Sequence, residues 1–207
     1  DGPDDKAALD AARALAQGLL GRGDASLRAG KPELAARLAV RARDALTDAG
    51  DPASACAAAL LEARAWLQAG DLQMALAAAR WAEAEARGHA LEERLLAART
   101  ELGALLEVAG DLDAALAAHK QVLAAHRGRG DVLGTAVAEG NVGRLLQRKD
   151  DTTAARTHLE GSLAGFEAVG HKPGMGQALV CLADLDRRSG QMTQARDRLH
   201  ACLDVAQ

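Results

Sequence analysis

The sequence predicts an all-α fold, a solenoid of about five antiparallel helix pairs, on three observations. Alanine and leucine carry the apolar content, with arginine and glutamate between them, while tyrosine is absent and Phe166 is the only phenylalanine. Those four residue types are strong helix formers, and the β-branched and aromatic residues that fill strands are scarce. Glycines recur on a 20-residue grid at Gly30, Gly50, Gly70, Gly110, Gly130, Gly170 and Gly190, with Gly88-His89-Ala90 and Lys149-Asp150-Asp151 filling the gaps. Small residues recur every 40 positions: Gly23, Ala63, Gly103, Gly143 and Ala183 in the first helix of each pair, and Ala35, Ala75, Ala115, Ala155 and Ala195 in the second.

The best-formed turn is Ala109-Gly110-Asp111-Leu112. Gly110 can close a helix in the left-handed conformation, Asp111 can cap the next helix, and Ala115 then allows close approach of a neighbour. A turn every 20 residues leaves helices of about 16–18 residues, roughly 25 Å long. The pairs are read as 7–29 with 32–49, 53–69 with 72–87, 91–109 with 112–128, 132–148 with 152–169, and 174–189 with 192–206. Pro32, Pro52 and Pro173 fit helix starts, where a missing N–H costs nothing. The first helix is the weakest element, because Gly18, Gly21 and Gly23 each cost about 1 kcal/mol relative to alanine; fraying, a bend or a break near Gly21–Asp24 is expected. Gly134, Gly140 and Gly143 in the fourth pair suit close backbone approach. The 207 residues are read as a single repeat domain.

A net charge of −4 argues against a general nucleic-acid binder, which needs a surplus of Lys and Arg to neutralise phosphates. Cys56, Cys181 and Cys202 are odd in number and form no C-x-x-C pair, which fits reduced structural thiols in a cytoplasmic protein. No apolar run approaches the roughly 20 residues of a membrane span, so membrane insertion is not expected. No signal peptide is visible. The chain begins at Asp1, and its final helix is apolar at Leu199, Cys202, Leu203 and Val205 where an end repeat normally presents a polar cap. A piece of a longer chain is expected on those grounds, or self-association through the terminal repeats.

The small residue in the first helix, the Gly-Asp turn and the alanine in the second resemble the tetratricopeptide repeat (TPR). The resemblance rests on Leu102-Gly103, Val142-Gly143 and Leu182-Ala183 in first helices and on the invariant second-helix alanine, and covers roughly residues 10–207. Its usual period is about 34 residues; 40 is similar to the variant in bacterial regulators and polarity adaptors. HEAT and armadillo repeats share the longer period but less often carry this turn and alanine.

The resemblance implies a right-handed superhelix with first helices lining its concave face. Carried over by position, it places Arg64 in that groove from the second unit, Val137, Arg144, Gln147 and Arg148 from the fourth, and Gln177, Val180, Asp184, Arg187 and Arg188 from the fifth. Asn141 falls where relatives often hold a bound peptide's backbone, and an amide can donate and accept at once. Asn141 with Arg144, Arg148, Arg187 and Arg188 would then select acidic segments, since guanidinium groups pair two-pronged with carboxylates. The plainer alternative is that these arginines are solvated and paired with Asp184, Asp186 or Glu139. Trp66 reads as core; Trp81 either covers a neighbouring second helix or anchors an interface.

His89, His119, His126, His158, His171 and His200 form no metal motif, although His119 and His126 lie two turns apart on one helix. Cys181 has no readable base beside it, and Gly140-Asn141-Val142-Gly143 lacks the strand that precedes a phosphate-binding loop. The expectation is a non-enzymatic scaffold or adaptor, without cofactor or metal, binding a protein or peptide partner and no nucleic acid. The alternatives are the sensor or regulatory domain of a bacterial transcription regulator or kinase, and a self-assembling repeat protein.

Overall fold

The computed structural model describes residues 3–206, which form ten α-helices and no strand. They are α1 (Pro3–Arg28), α2 (Pro32–Asp48), α3 (Pro52–Gln68), α4 (Leu72–Gly88), α5 (Glu92–Val108), α6 (Leu112–Arg129), α7 (Val132–Arg148), α8 (Thr152–Ala168), α9 (Lys172–Arg188) and α10 (Met192–Ala206). Odd helices are the first and even helices the second members of the expected pairs. The helices gather into two compact units, one ending at Gly110 and the other starting at Asp111. The division falls inside the third expected pair, so α5 belongs to the first unit and α6 to the second.

The 20-residue grid is a grid of backbone conformation. Positive φ occurs at Gly30, Gly50, Gly70, Gly110, Gly130, Gly170 and Gly190, and also at Ala90 (φ 53°) and Asp150 (φ 60°) in the two gaps. The next residue but one begins a helix, and the residue between caps it. Asp51, Asp71, Asp111, Asp131 and Asp151 each accept from the backbone N–H three residues on, at 2.8–3.2 Å. Such a bond satisfies one of the orphan donors of a helix start. Lys31 and Leu91 occupy the same position without a side-chain cap.

Both small-residue registers are buried throughout. An added Cβ on Gly23 would stand 3.5 Å from the Ala35 carbonyl oxygen, and one on Gly143 3.2 Å from that of Ala155. The first-helix small residue therefore faces the second-helix alanine in these pairs. A hydrogen bond also crosses the pair at a recurring point. Ser162 Oγ donates to the Ala136 carbonyl at 2.8 Å, and Cys202 Sγ, 40 residues on, to that of Gly176 at 3.6 Å. Cys56 Sγ makes the reverse link to Ala82 at 3.6 Å. All three cysteines are free thiols.

Ion pairs tie each second helix to the next first helix within a unit: Arg43–Glu62 at 2.6 Å, Glu83–Arg99 at 3.1 Å, Arg127–Glu139 at 2.5 Å and Arg156–Asp186 at 2.6 Å. Burial pushes the Glu62 carboxyl up, with the Arg43 charge acting against it.

The expected break in the first helix does not occur; α1 runs unbroken through Gly18, Gly21 and Gly23. Gly18 and Gly21 face open space, while Gly23 is pressed against Leu61 and Leu38, and Ala16 and Leu19 are buried in a cluster with Leu38, Ala42 and Leu46. Packing of that face outweighs the local cost of the glycines. Trp66 packs against core clusters of the first unit. Trp81 lies half-buried on the cluster of α1, α2 and α3, with the Arg43 guanidinium 5.3 Å from its ring centroid, so it covers the neighbouring second helix.

Candidate functional site

In the second unit, α7 and α9 bring three of the proposed site residues to one depression. Asn141 and Arg144 of α7 and Gln177 of α9 line it together with Val137, Leu159, Phe166, His171, Pro173, Ala178 and Cys181. Its volume is about 150 Å³. Helical spacing puts Val137, Asn141, Arg144 and Arg148 on one face of α7, and Gln177, Cys181, Asp184 and Arg188 likewise on α9.

The wall of the depression is built from a helix start. His171 stands at the capping position that is aspartate in five other turns. Its Nδ1 accepts from the Gly174 N–H at 3.0 Å, which puts the proton of the neutral ring on Nε2. The Phe166 ring of α8 stacks on His171, with centroids 5.3 Å apart and planes at 29°. Gly174 fits beneath that ring because it has no Cβ; one would stand 2.5 Å from Phe166. Phe166, His171 and Pro173 stand apart in the sequence pattern and come together only in the fold. The signal was the histidine at a capping position that five other turns fill with aspartate.

One turn further along, Asp184 gathers three of the remaining site residues. Gln147 Nε2 reaches across from α7 to Oδ2 at 2.6 Å. Arg187 donates to Oδ1 from Nε at 3.2 Å and from Nη2 at 2.6 Å, and Arg188 Nε donates to Oδ2 at 2.8 Å. The hydrogen bond from Arg187, with the Arg188 charge beside it, holds the Asp184 carboxyl below the usual carboxylate range. Arg187 and Arg188 thus use part of their donor set on Asp184 and keep exposed guanidinium edges. Asp186 and Glu139, the other candidate partners, bind different arginines: Asp186 takes Arg156 and Arg198, Glu139 takes Arg127.

Arg148 is exposed at the end of α7, and Arg144 is half-buried. Burial pushes the Cys181 thiol up, and the Arg144 charge pulls the other way. Arg64 lies in α3 of the first unit, apart in the chain from the other seven; its Nε donates to the Leu60 carbonyl at 3.2 Å. On α6, His119 is buried and His126 pairs with Asp131 at 2.8 Å, so the two serve separate surroundings. Among the described residues no group of His, Cys, Asp or Glu is arranged to hold a metal ion. No helix among them is long and apolar enough to cross a membrane.

Residues 94–168, spanning α5 to α8, match the family model of the tetratricopeptide repeat. These are tetratricopeptide repeats. The fold agrees over nearly the whole chain. A Podosopora anserina protein with nearly identical TPR-like repeats, named after kinesin light chain, superposes with a TM-score of 0.78 at 17% identity, covering 91% of this chain and 93% of that one. Aspartyl phosphate phosphatase F of Bacillus subtilis gives 0.85 at 15% identity over 98% of this chain and 53% of its own. A Rap protein complexed with Competence and Sporulation Factor gives 0.73 at 18% identity, covering 90% and 53%. The chain therefore spans about half the length of the last two. At these identities the likeness is one of TPR fold alone. No curated protein matches the sequence.

Proposed function

We propose that this TPR protein is a non-catalytic, cytoplasmic interaction scaffold that holds a peptide or protein segment of acidic character on the α7–α9 face of its second unit. The observation that carries the reading is the meeting of Asn141, Arg144 and Gln177 around one depression. Asn141 and Gln177 can each donate to and accept from an extended main chain. Arg144 and Arg148 on α7, with the outer edges of Arg187 and Arg188 on α9, supply two-pronged partners for carboxylates. Packed helices hold these groups in place beforehand, so little ordering entropy is lost on binding. The Rap neighbour, which is complexed with another factor, supports the fold's use as a binding frame.

The test is a titration of fluorescein-labelled peptides rich in Asp and Glu into the full chain and into the Arg144→Glu, Arg148→Glu double variant. Binding by the parent and at least tenfold weaker binding by the double variant, with helicity unchanged by circular dichroism, is expected. Equal affinity of the two proteins rejects this face as the site.

A further inference from the structure

The geometry points to an anchor subsite: the depression between α7, α8 and α9 takes one apolar side chain, of leucine or phenylalanine size, from an extended peptide, while Arg144 holds a carboxylate two residues away. This rests on the scaffold reading and adds which peptides the face selects.

Size sets the first limit. A volume of about 150 Å³ matches an apolar cavity that holds a benzene-sized group. Sites for drug-sized ligands run to roughly 300–1,000 Å³. The depression is therefore right for one side chain and too small for a cofactor or a folded element.

The lining sets the second. Leu159, Phe166 and Ala178 form a floor that is almost fully out of water, at 1%, 5% and 2% exposure. Val137 and Pro173 stand exposed around it. Hydrogen-bonding groups, Asn141 and Gln177, belong to the same lining. Apolar atoms at depth with amides beside them suit a main chain lying across and one side chain pointing down.

Charge sets the third. In an extended chain every second side chain points the same way, about 7 Å apart. A residue two positions from the anchor would thus descend on the same face, where Arg144 lines the depression and Arg148 follows one turn on. Across on α9, two arginines share the single carboxylate of Asp184. On α9 the arginines thus outnumber the carboxylate they share, which suits an acidic neighbour of the anchor.

Two of the repeat's departures from its own pattern meet at the depression. Histidine replaces the capping aspartate at 171, and the chain's only phenylalanine is at 166. Both departures line this one feature. Breaks in an otherwise regular pattern are where function is expected.

The experiment uses three labelled nonapeptides against the full chain: Gly-Ser-Asp-Ser-Phe-Ser-Asp-Ser-Gly, the same with Ala for Phe, and the same with Ser for both Asp. Fluorescence anisotropy should show the Phe-to-Ala change weakening binding about tenfold or more, as for a buried anchor, and the Asp-to-Ser change weakening it further at low salt. The Cys181→Phe variant, which fills the depression, should bind the Phe peptide no better than the Ala peptide. Amide shifts in the unaltered protein should move at Gly140, Gly174 and Ala178 on adding the Phe peptide, a readout independent of how the variant folds. Equal affinity for the Phe and Ala peptides, or shifts confined elsewhere, overturns the subsite. Binding of none of the three by a protein that does bind the Asp- and Glu-rich peptides overturns the subsite and leaves the scaffold reading intact; failure with both sets removes the two together.

Discussion

Phe166 lies directly over Gly174, with its ring atoms 2.5 Å from where a Cβ would be. Forty residues earlier His126 covers Gly134 in the same register, and each ring also touches the cap of the helix it covers: His126 pairs with Asp131, Phe166 stacks on His171. A ring on a second helix thus seats the start of the next first helix. Gly174→Ala should push the ring away and cost about 1–3 kcal/mol, the usual penalty of overpacking. Gly21→Ala, where the added methyl meets open space, should instead stabilise α1 by about 0.5–1 kcal/mol. Urea unfolding midpoints of the two variants should move in opposite directions; a shared direction would contradict the packing described.

The turn grid gives a second test. Ala90 and Asp150 hold positive φ without being glycine. A left-handed conformation costs an L-residue roughly 1–2 kcal/mol, less for aspartate. Ala90→Gly should therefore raise stability by about 1 kcal/mol and Asp150→Gly by less, despite the extra chain entropy that glycine brings to the unfolded state. Thermal melts of the two single variants measure both the sign and the order.

The fold was legible because its period is carried by residues whose backbone roles are nearly unique. Glycine at a positive-φ turn and aspartate at a cap can be seen without knowing any contact. The face carrying Asn141, Arg144 and Gln177 came from the resemblance to the tetratricopeptide repeat, not from the turn register itself. The wall of the depression came from neither, because Phe166 comes from a second helix and meets His171 only after α8 and α9 pack. Nor did the Gln147–Asp184 bond, whose partners are 37 residues apart. The opposite failure occurred in α1, where local propensity overstated the effect of Gly18 and Gly21; both point away from the packed face.

Asp186 offers a third prediction. It is fully buried in α9, with Arg156 of α8 at 2.6 Å on one oxygen and Arg198 of α10 at 2.8 Å on the other. Its carboxylate joins three helices. Asp186→Ala would leave two arginines facing each other, and breaking a buried pair costs about 3–5 kcal/mol. Both guanidinium groups keep some contact with water, which favours the lower end of that range. Chemical denaturation should show this loss, with Arg156→Met, Asp186→Leu, Arg198→Met recovering part of it as an apolar replacement of the whole cluster.

Asp184 supplies the pH prediction. Arg187 and Arg188 favour its ionised form, so its folded pKa lies below that of the unfolded chain. A carboxylate with a depressed folded pKa contributes stability that is present above the unfolded value and is lost as pH falls through the folded one. At neutral pH the pair of arginines is therefore organised around the carboxylate. Acidification below the ordinary aspartate range releases both guanidinium groups from it. Carboxyl-carbon NMR should give Asp184 a midpoint below that of a free aspartate, returning toward the ordinary value in an Arg187→Gln, Arg188→Gln variant. Because Asp184 competes with any incoming carboxylate for the same donors, Asp184→Asn should bind the Asp- and Glu-rich peptides more tightly at neutral pH, by up to about fivefold for a partly exposed charge contact. Weaker binding by Asp184→Asn would instead mean that Asp184 serves the site by positioning the arginines.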